Sequence, residues 1–510
     1  MNHSIAWTIG GSDSGGGAGI QADIKTMAAF GVHGCSVISA LTAQNTARVA
    51  LVEAVSDAML KEQLQSLKQD LPATAIKIGM LLSRQSIETV VSFLEEFPSY
   101  TQKERQPFVV CDPVMIATSG NHLIEPSAID VLRKRLMPAV DLITPNLHEA
   151  EELTGMKPLS IEVSNRDEMD EHFIRLADKL LLDGAKAVLI KGGHAYGEFC
   201  QDYFTDGKQK WWFTSPRAIA KPFHGTGCTL SSAIASAIAK GEAMLDAVVI
   251  AKAYINQAIA TAPGVGTRTL PLGHFKSAIK EEYLPWATLA ASEGRNRPSF
   301  EQDRKLGFYP IVSRADNVIE LIQAGAKTIQ LRIKDLEGDA LESEIESAAR
   351  AAEKAKVRLY VNDYWRTALS HRAYGVHLGQ SDLDDAEIHQ IQDAGLRLGI
   401  STHSYFEVSR ALSFRPSYIA IGPIHHTTTK EMPFEPQGVS GFAYWADILN
   451  YPLVAIGGIF LNNAAELLNS GADGIAVVRD IANCSDRFER TRLWLSLFTE
   501  STAYGTSRSE

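Results

Sequence analysis

The sequence predicts an α/β protein of two domains, a layered αβα domain on a mainly parallel sheet followed by a (β/α)8 barrel. Three observations predict it. Up to about residue 285, short β-rich runs alternate with amphipathic helical stretches, as expected for parallel strands covered by helices. Around ATLAASEGRNRPSFEQDRK the apolar rhythm fades into polar residues with Gly and Pro, so 286–305 reads as a linker between domains at 1–285 and 306–510. Beyond it, strand patterns recur eight times in about 205 residues, which fits a compact barrel better than an open doubly wound sheet.

In the first domain, strands are expected at 5–9, 36–41, 75–80, 108–111, 142–144 and 187–190, with helical patterns such as DAMLKEQLQSLKQDL and SRQSIETVVSFLEEF between them. A site in such a sheet belongs at the carboxyl ends of the strands. In the second domain the strands are FYPIV, TIQLR, RLYVN, GVHLG, LRLGIS, YIAIG, PLVAIGG and GIAVV. Several helices there end in a glycine just before the next strand, as in QAGAKTIQLR, QDAGLRLGIS and NSGADGIAVV.

Composition narrows the function. A chain of 510 residues exceeds one core, and 45% hydrophobic with 21% charged residues is ordinary globular material. The net charge of -11 argues against a general nucleic-acid binder and leaves small phosphorylated substrates open. The five cysteines, at 35, 111, 200, 228 and 484, form no Cys-x-x-Cys pair, which suits a reduced compartment. No apolar run reaches membrane-spanning length and the N-terminus lacks a signal-like core, so a cytoplasmic protein is expected. A homo-oligomer is compatible with all of this.

The stretch KPFHGTGCTLSSAIASA places Gly225, Thr226, Gly227 and Cys228 at a helix start, with Leu230, Ile234 and Ile238 on one buried face and Gly241 closing the helix. Unpaired backbone N–H groups in a first turn invite an anion, and the same field is expected to lower a thiol pKa. The glycine-rich WTIGGSDSGGGAGIQADIKT follows the first strand but lacks the lysine spacing of a P-loop and the Rossmann glycine spacing. Its glycines permit close backbone approach to a ligand, with Asp23 available to hydrogen-bond it.

Read together, GGSDSGGGAGIQAD, ALTAQNT, KIGML, DPVM, TPNLHEA, KGGH and HGTGCT occur in the order found in ribokinase-fold vitamin kinases. Residues 1 to about 265 resemble hydroxymethylpyrimidine/phosphomethylpyrimidine kinase. The resemblance implies that Asp23 and Gln44 contact the pyrimidine, that Asn146 and Glu149 organise Mg²⁺ and phosphates, and that Lys191 and Thr226 help hold ATP. Cys228 stands where most sugar kinases of this fold carry an aspartate base. It is expected either to accept or relay the substrate hydroxyl proton or to shape the anion hole formed by Gly225 to Cys228.

In the barrel, alternation sends Gln330, Arg332 and Lys334 to one side of a strand end, an amide with two cations that call for an anion. Asp363 and Asp382 end neighbouring strands, where they suit either Mg²⁺ or helix N-caps. The adjacent His425 and His426 lack a third spaced ligand and read as loop chemistry. Gly457 and Gly458 leave room for a phosphate. QLRIKD, VND, GVHLGQSD, GPIHHTTTK and AIGGI resemble thiamine phosphate synthase over about 306–495. That implies that Gln330, Arg332, Lys334, Asn362, Ser401, Thr427, Thr429 and Lys430 hold a pyrimidine diphosphate with Asp363 and Asp382 on Mg²⁺, and that Gly458 and the Val478 region receive thiazole phosphate. Arg479 departs from the serine common in that family.

The resemblances imply a bifunctional enzyme that phosphorylates hydroxymethylpyrimidine twice with ATP and then condenses the diphosphate with thiazole phosphate, releasing pyrophosphate. Its partners would be these small molecules, with no nucleic acid and no membrane. The alternative is a pyridoxal-like vitamin-alcohol kinase fused to a non-catalytic barrel that senses thiamine intermediates.

Overall fold

A computed structural model describes residues 4–97, 106–115, 123–159, 166–193, 197–217, 222–276, 279–427 and 434–504. The chain forms two compact units, 1–295 and 296–510.

The first unit carries β1 (Ile5–Asp13), β2 (His33–Gln44), β3 (Val49–Ala54), β4 (Ala75–Ile78), β5 (Phe108–Cys111), β6 (Leu142–Ile143), β7 (Val188–Ile190), β8 (Phe199–Thr205), β9 (Lys210–Pro216), β10 (Phe223–His224), β11 (Leu270–Pro271) and β12 (Trp286–Thr288). Ten of these make one sheet in the order β12-β9-β8-β7-β6-β5-β4-β1-β2-β3. The run from β2 through β1 and β4 to β7 is parallel, whereas β3 and the β8, β9 and β12 edge are antiparallel. Strand order reverses beside β1, which opens a crevice at the carboxyl ends there. One face of the central strands is apolar, with Trp7, Ile9, Ile76 and Ile78 buried beneath covering helices, whereas the other carries Thr8 and Lys77, both buried and bonded to Asp23. The helix Arg84–Glu95 buries Ile87, Val90, Val91 and Phe93 on one side and starts at Ser83, whose hydroxyl accepts the Ser86 N–H.

The stretch expected as a linker is not one along its whole length. Ala287 pairs with Phe213 as β12 joins the sheet, and Arg295 at the end of the helix Ala291–Arg295 grips Asp170 with two bonds of 2.7 and 2.8 Å. Phe300 and Asp303 already donate backbone N–H groups to Arg415 and Ser417 in the second unit. The backbone hydrogen bonds of these segments are made within the folded units.

The second unit is a closed barrel of β13 (Gly307–Val312), β14 (Thr328–Leu331), β15 (Arg358–Asn362), β16 (Gly375–Leu378), β17 (Arg397–Thr402), β18 (Tyr418–Ile421), β19 (Leu453–Ile456) and β20 (Gly474–Val477). All eight expected strands are present, and β13 pairs in parallel with β20 to close the ring. Gly325, Gly395 and Gly471 take left-handed conformations with φ of 102°, 74° and 93° where the recurring phrase ends its helices. Tyr309, Tyr360 and Tyr418 fill the barrel interior. A Cβ at Gly399 would lie 2.1 Å from the Tyr418 ring, so glycine there makes room for the tyrosine.

Candidate active sites

In the first unit the ends of β1, β4, β5 and β6 and the start of the helix Thr226–Ala239 surround a cavity of about 950 Å³. Gly225 caps that helix at φ 83°, and a Cβ there would lie 2.0 Å from the Gly17 carbonyl oxygen, so the glycine-rich loop and the helix start touch backbone to backbone. A Cβ on Gly227 would lie 3.0 Å from both Asp112 Oδ2 and Lys191 Nζ, which places the first turn's N–H groups beside that ion pair.

Lys191 Nζ lies 2.5 Å from Asp112 Oδ1 and 3.8 Å from Glu149 Oε2. Burial alone would lower the Lys191 ammonium, but Asp112 and Glu149 outweigh it and hold its pKa up. Glu149 is pushed up to about 7 by burial, with Lys191 opposing and Asp112 adding to the rise. The Asn-x-x-Glu spacing also builds a capping box: Asn146 Oδ1 accepts the Glu149 N–H at 2.9 Å and Glu149 Oε2 accepts the Asn146 N–H at 2.7 Å. This box aims the Glu149 carboxylate toward Lys191.

Asp13, which the sequence reading passed over, organises the glycine loop. Its carboxylate accepts the N–H groups of Gly15, Gly17 and Ala18 at 2.8, 3.0 and 2.9 Å, and His224 Nε2 lies 3.2 Å away. Burial raises the Asp13 carboxyl, yet His224 and the backbone donors outweigh burial and hold it below the usual range. Gln44 lines the cavity with its amide 2.8 Å from the same His224 nitrogen.

Two expectations change here. Asp23 is 0% exposed and absent from the cavity wall, because its carboxylate is taken by Lys77 at 2.8 Å, Thr8 at 2.6 Å and Ser232 at 2.6 Å. It holds a buried ammonium in place beneath the site instead of facing a ligand. Cys228 does occupy the first helical turn on the cavity wall, but burial pushes its thiol up to about 11 against the lowering effect of Lys77. Desolvation, with Asp23 and Asp112 adding to it, outweighs Lys77 and the backbone bond involving Gly19, so the thiol is not lowered as expected.

In the barrel, Lys334, three residues past the end of β14, reaches Asp363 Oδ2 at 2.5 Å, and Asp363 sits at φ 65°, a left-handed turn just after β15. Asp382 accepts the Gly379 N–H at 2.9 Å. Its pKa is raised by burial and then by Asp363, so the two carboxylates face one another. Among the described residues no group of three or more His, Cys, Asp or Glu is placed to hold a metal. A two-carboxylate pair is nevertheless what Mg²⁺ uses when substrate oxygens and water complete its shell.

Arg332 is half-buried and Asn362 buried at neighbouring strand ends, while Gln330, 2% exposed, lies deeper and donates to Tyr309 at 3.3 Å. Ser401 on β17 bonds His377 at 2.7 Å. Thr427 closes the described part of its loop, and Thr429 and Lys430 lie outside the described residues. A Cβ on Gly458, at φ 67°, would lie 2.7 Å from the carbonyl oxygens of His425 and His426, so this glycine lets the two loops pack. Val478 precedes the short helix Arg479–Ala482, and the Arg479 guanidinium lies 5.3 Å over the Phe460 ring. His377, Tyr418 and Tyr309 were not singled out in the sequence; their strand alternation marks them as inward-facing and nothing more.

The phosphomethylpyrimidine kinase family model matches residues 13–273, and the thiamine monophosphate synthase model matches residues 308–481. The chain is 34% identical over 508 residues to a probable thiamine biosynthetic bifunctional enzyme, chloroplastic, of Oryza sativa subsp. japonica, covering 97% of this chain and 88% of the relative. Its first half is 42% identical over 274 residues to a hydroxymethylpyrimidine/phosphomethylpyrimidine kinase of Rhizobium meliloti, 53% of this chain and 97% of that protein. Its second half is 46% identical over 194 residues to a thiamine-phosphate synthase of Salmonella agona, 38% of this chain and 92% of that protein. Among the described residues no helix is long and apolar enough to cross a membrane.

Proposed function

The chain belongs to the bifunctional thiamine biosynthetic enzymes that join a pyrimidine kinase to a thiamine-phosphate synthase, and from that premise we propose which of its residues carry each step. The observation that carries the kinase assignment is Lys191 held between Asp112 and Glu149 against the first turn of the helix Thr226–Ala239. ATP is the co-substrate, and its transferring phosphoryl group would meet the N–H groups of 225–228 and the Lys191 ammonium. Glu149 and Asp112 are the oxygen ligands that fit Mg²⁺; the ion would neutralise phosphate charge and, by favouring the carboxylate, draw Glu149 down from about 7.

Gln44, and no longer Asp23, is the residue assigned to the pyrimidine. A thiol held near 11 supports the anion-hole role for Cys228 over that of a ready base. The same cavity receives the hydroxymethyl alcohol and then its monophosphate.

In the barrel, Arg332 and Lys334 neutralise the departing diphosphate, and Asp363 with Asp382 would hold the Mg²⁺ that supplies further charge compensation. Loss of pyrophosphate leaves an electron-poor methylene carbon stabilised by the aminopyrimidine, and the thiazole nitrogen attacks it with its own lone pair. No protein base is required. The alternative of a silent sensing barrel is not favoured by a synthase match that spans the barrel strands.

The test is to incubate the purified chain with hydroxymethylpyrimidine, thiazole phosphate, ATP and Mg²⁺, omitting each in turn. Thiamine phosphate should form only in the complete mixture, and omission of thiazole phosphate should accumulate the pyrimidine diphosphate. Failure to make the diphosphate contradicts the kinase assignment, and accumulation of diphosphate in the complete mixture contradicts the synthase assignment.

A further inference from the structure

Beneath the mouth of the barrel a line of buried polar groups joins two residues assigned to the pyrimidine. Ser401 Oγ lies 2.7 Å from His377 Nε2, His377 Nδ1 lies 2.7 Å from Tyr418 OH, and Tyr418 OH lies 2.8 Å from Tyr309 OH. Gln330 Nε2 completes the line by donating to Tyr309 OH at 3.3 Å. His377, Tyr418, Tyr309 and Gln330 are all buried, so each proton must find an acceptor inside the line.

That requirement fixes the direction of every bond. Because Gln330 donates to Tyr309, the Tyr309 proton goes to Tyr418 and the Tyr418 proton goes to His377 Nδ1. The His377 side chain bonds two hydroxyls and no carboxylate, and a buried charge without a partner is costly, so the ring is neutral and Nε2 carries its one N–H. Ser401 Oγ therefore accepts from His377 and its own proton is left to point at a ligand. Gln330 gives one of its two N–H groups to Tyr309, which sets the orientation of its amide and leaves its carbonyl oxygen to offer to a ligand. Gln380 Nε2 holds the Ser401 backbone carbonyl at 2.8 Å and fixes the residue's position.

We propose that His377, Tyr418 and Tyr309 are positioning residues that set the donor and acceptor pattern with which the barrel reads the pyrimidine: a donor at Ser401 for a ring nitrogen and an acceptor at Gln330 for the neighbouring exocyclic amine. The proposal rests on the synthase reading above. It makes the barrel selective for a 4-aminopyrimidine diphosphate over its 4-oxo counterpart, whose ring N–H and carbonyl present the opposite pattern. A site built on buried hydrogen-bonding groups rejects the mismatched ligand strongly, because its own groups are left unpaired.

The experiment supplies preformed 4-amino- or 4-oxo-pyrimidine diphosphate with thiazole phosphate to the full chain and to its Tyr418→Phe variant. The kinase rate of the same preparations and their thermal unfolding serve as folding controls. The wild-type chain is expected to prefer the amino substrate by roughly 10³-fold or more in kcat/KM. Tyr418→Phe is expected to reduce that preference at least tenfold, and His377→Gln, which restores an N–H toward Ser401, to retain more of it than His377→Leu. Should Tyr418→Phe not fold, Tyr309→Phe carries the same expectation.

An unchanged preference in the phenylalanine variant, whatever its rate, means the line only packs the barrel and overturns the proposal. A wild-type chain that condenses neither diphosphate overturns the synthase reading itself.

Discussion

Replacing Lys191 by Gln removes the ammonium from between two buried carboxylates while keeping similar length and hydrogen-bonding capacity. The wild-type contacts are 2.5 Å to Asp112 and 3.8 Å to Glu149. Removing one preorganised charge or donor aimed at a transition state typically costs about 2.7 to 4 kcal/mol of transition-state stabilisation. The amide recovers part of that, so a loss of about 3 kcal/mol in transition-state stabilisation is expected, roughly a hundredfold fall in kcat/KM for ATP-dependent phosphorylation. Lys191 is also what opposes the rise of Glu149, so the ionisation near 7 should move further up. The kinase pH profile of the variant should rise at more alkaline pH than that of the wild type. The assay follows pyrimidine monophosphate formation against pH, with condensation of supplied diphosphate as an internal control that should not change. Phosphorylation within threefold of wild type, with an unmoved profile, refutes the reasoning.

Cys228→Ala should keep more than a tenth of the phosphorylation rate if the residue shapes the anion hole, and a rate loss of roughly 10³-fold or more in steady-state assays would restore the base assignment. Gly399→Ala drives a Cβ to within 2.1 Å of the Tyr418 ring, and overpacking of that kind should destabilise the barrel by about 1 to 3 kcal/mol or more in denaturant titrations while leaving phosphorylation intact. His377 is pushed down to about 4 by burial from an ordinary 6.5. Between those values the unfolded chain binds more protons than the folded one, so the barrel loses stability as pH falls from 6.5 toward 4. At pH 5 the loss from this residue is about 2 kcal/mol. Urea titrations at pH 7.5 and 5.0 should show it in the wild type and not in His377→Gln.

The barrel was legible because its eight strands are short β-branched runs set off by cap glycines, and both devices act locally. The helix start at Thr226 was legible for the same reason. Asn146 and Glu149 were implied by the family resemblance, and their Asn-x-x-Glu spacing proves to be a capping box, with Glu149 on the cavity wall. What escaped depends on distant partners. Asp23 looks the same in sequence whether it faces a ligand or Lys77, 54 residues away. Asp13 and Asp112 end strands and gain meaning only from the glycine loop and Lys191 that reach them. The Cys228 expectation rested on the helix field and left out desolvation, which depends on how deeply the fold buries the thiol. The β8 and β9 hairpin carries a turn signal at Asp206-Gly207, with Gly207 at φ 82°, beyond the strand patterns named at 5–190. β12 is only three residues long, Trp286–Thr288, too short for strand alternation to mark it before it pairs with β9.

The central claim is that one chain holds two separate charge-compensating sites acting in succession. It is tested most directly by mixing a Lys191→Gln chain with a Lys334→Gln chain and measuring thiamine phosphate formed from hydroxymethylpyrimidine, thiazole phosphate, ATP and Mg²⁺. Each variant alone should form it at a small fraction of the wild-type rate, and the mixture should restore it, since one chain's diphosphate can be released and condensed by the other. Near-wild-type formation by either variant alone, or a mixture no better than its components, would contradict the account.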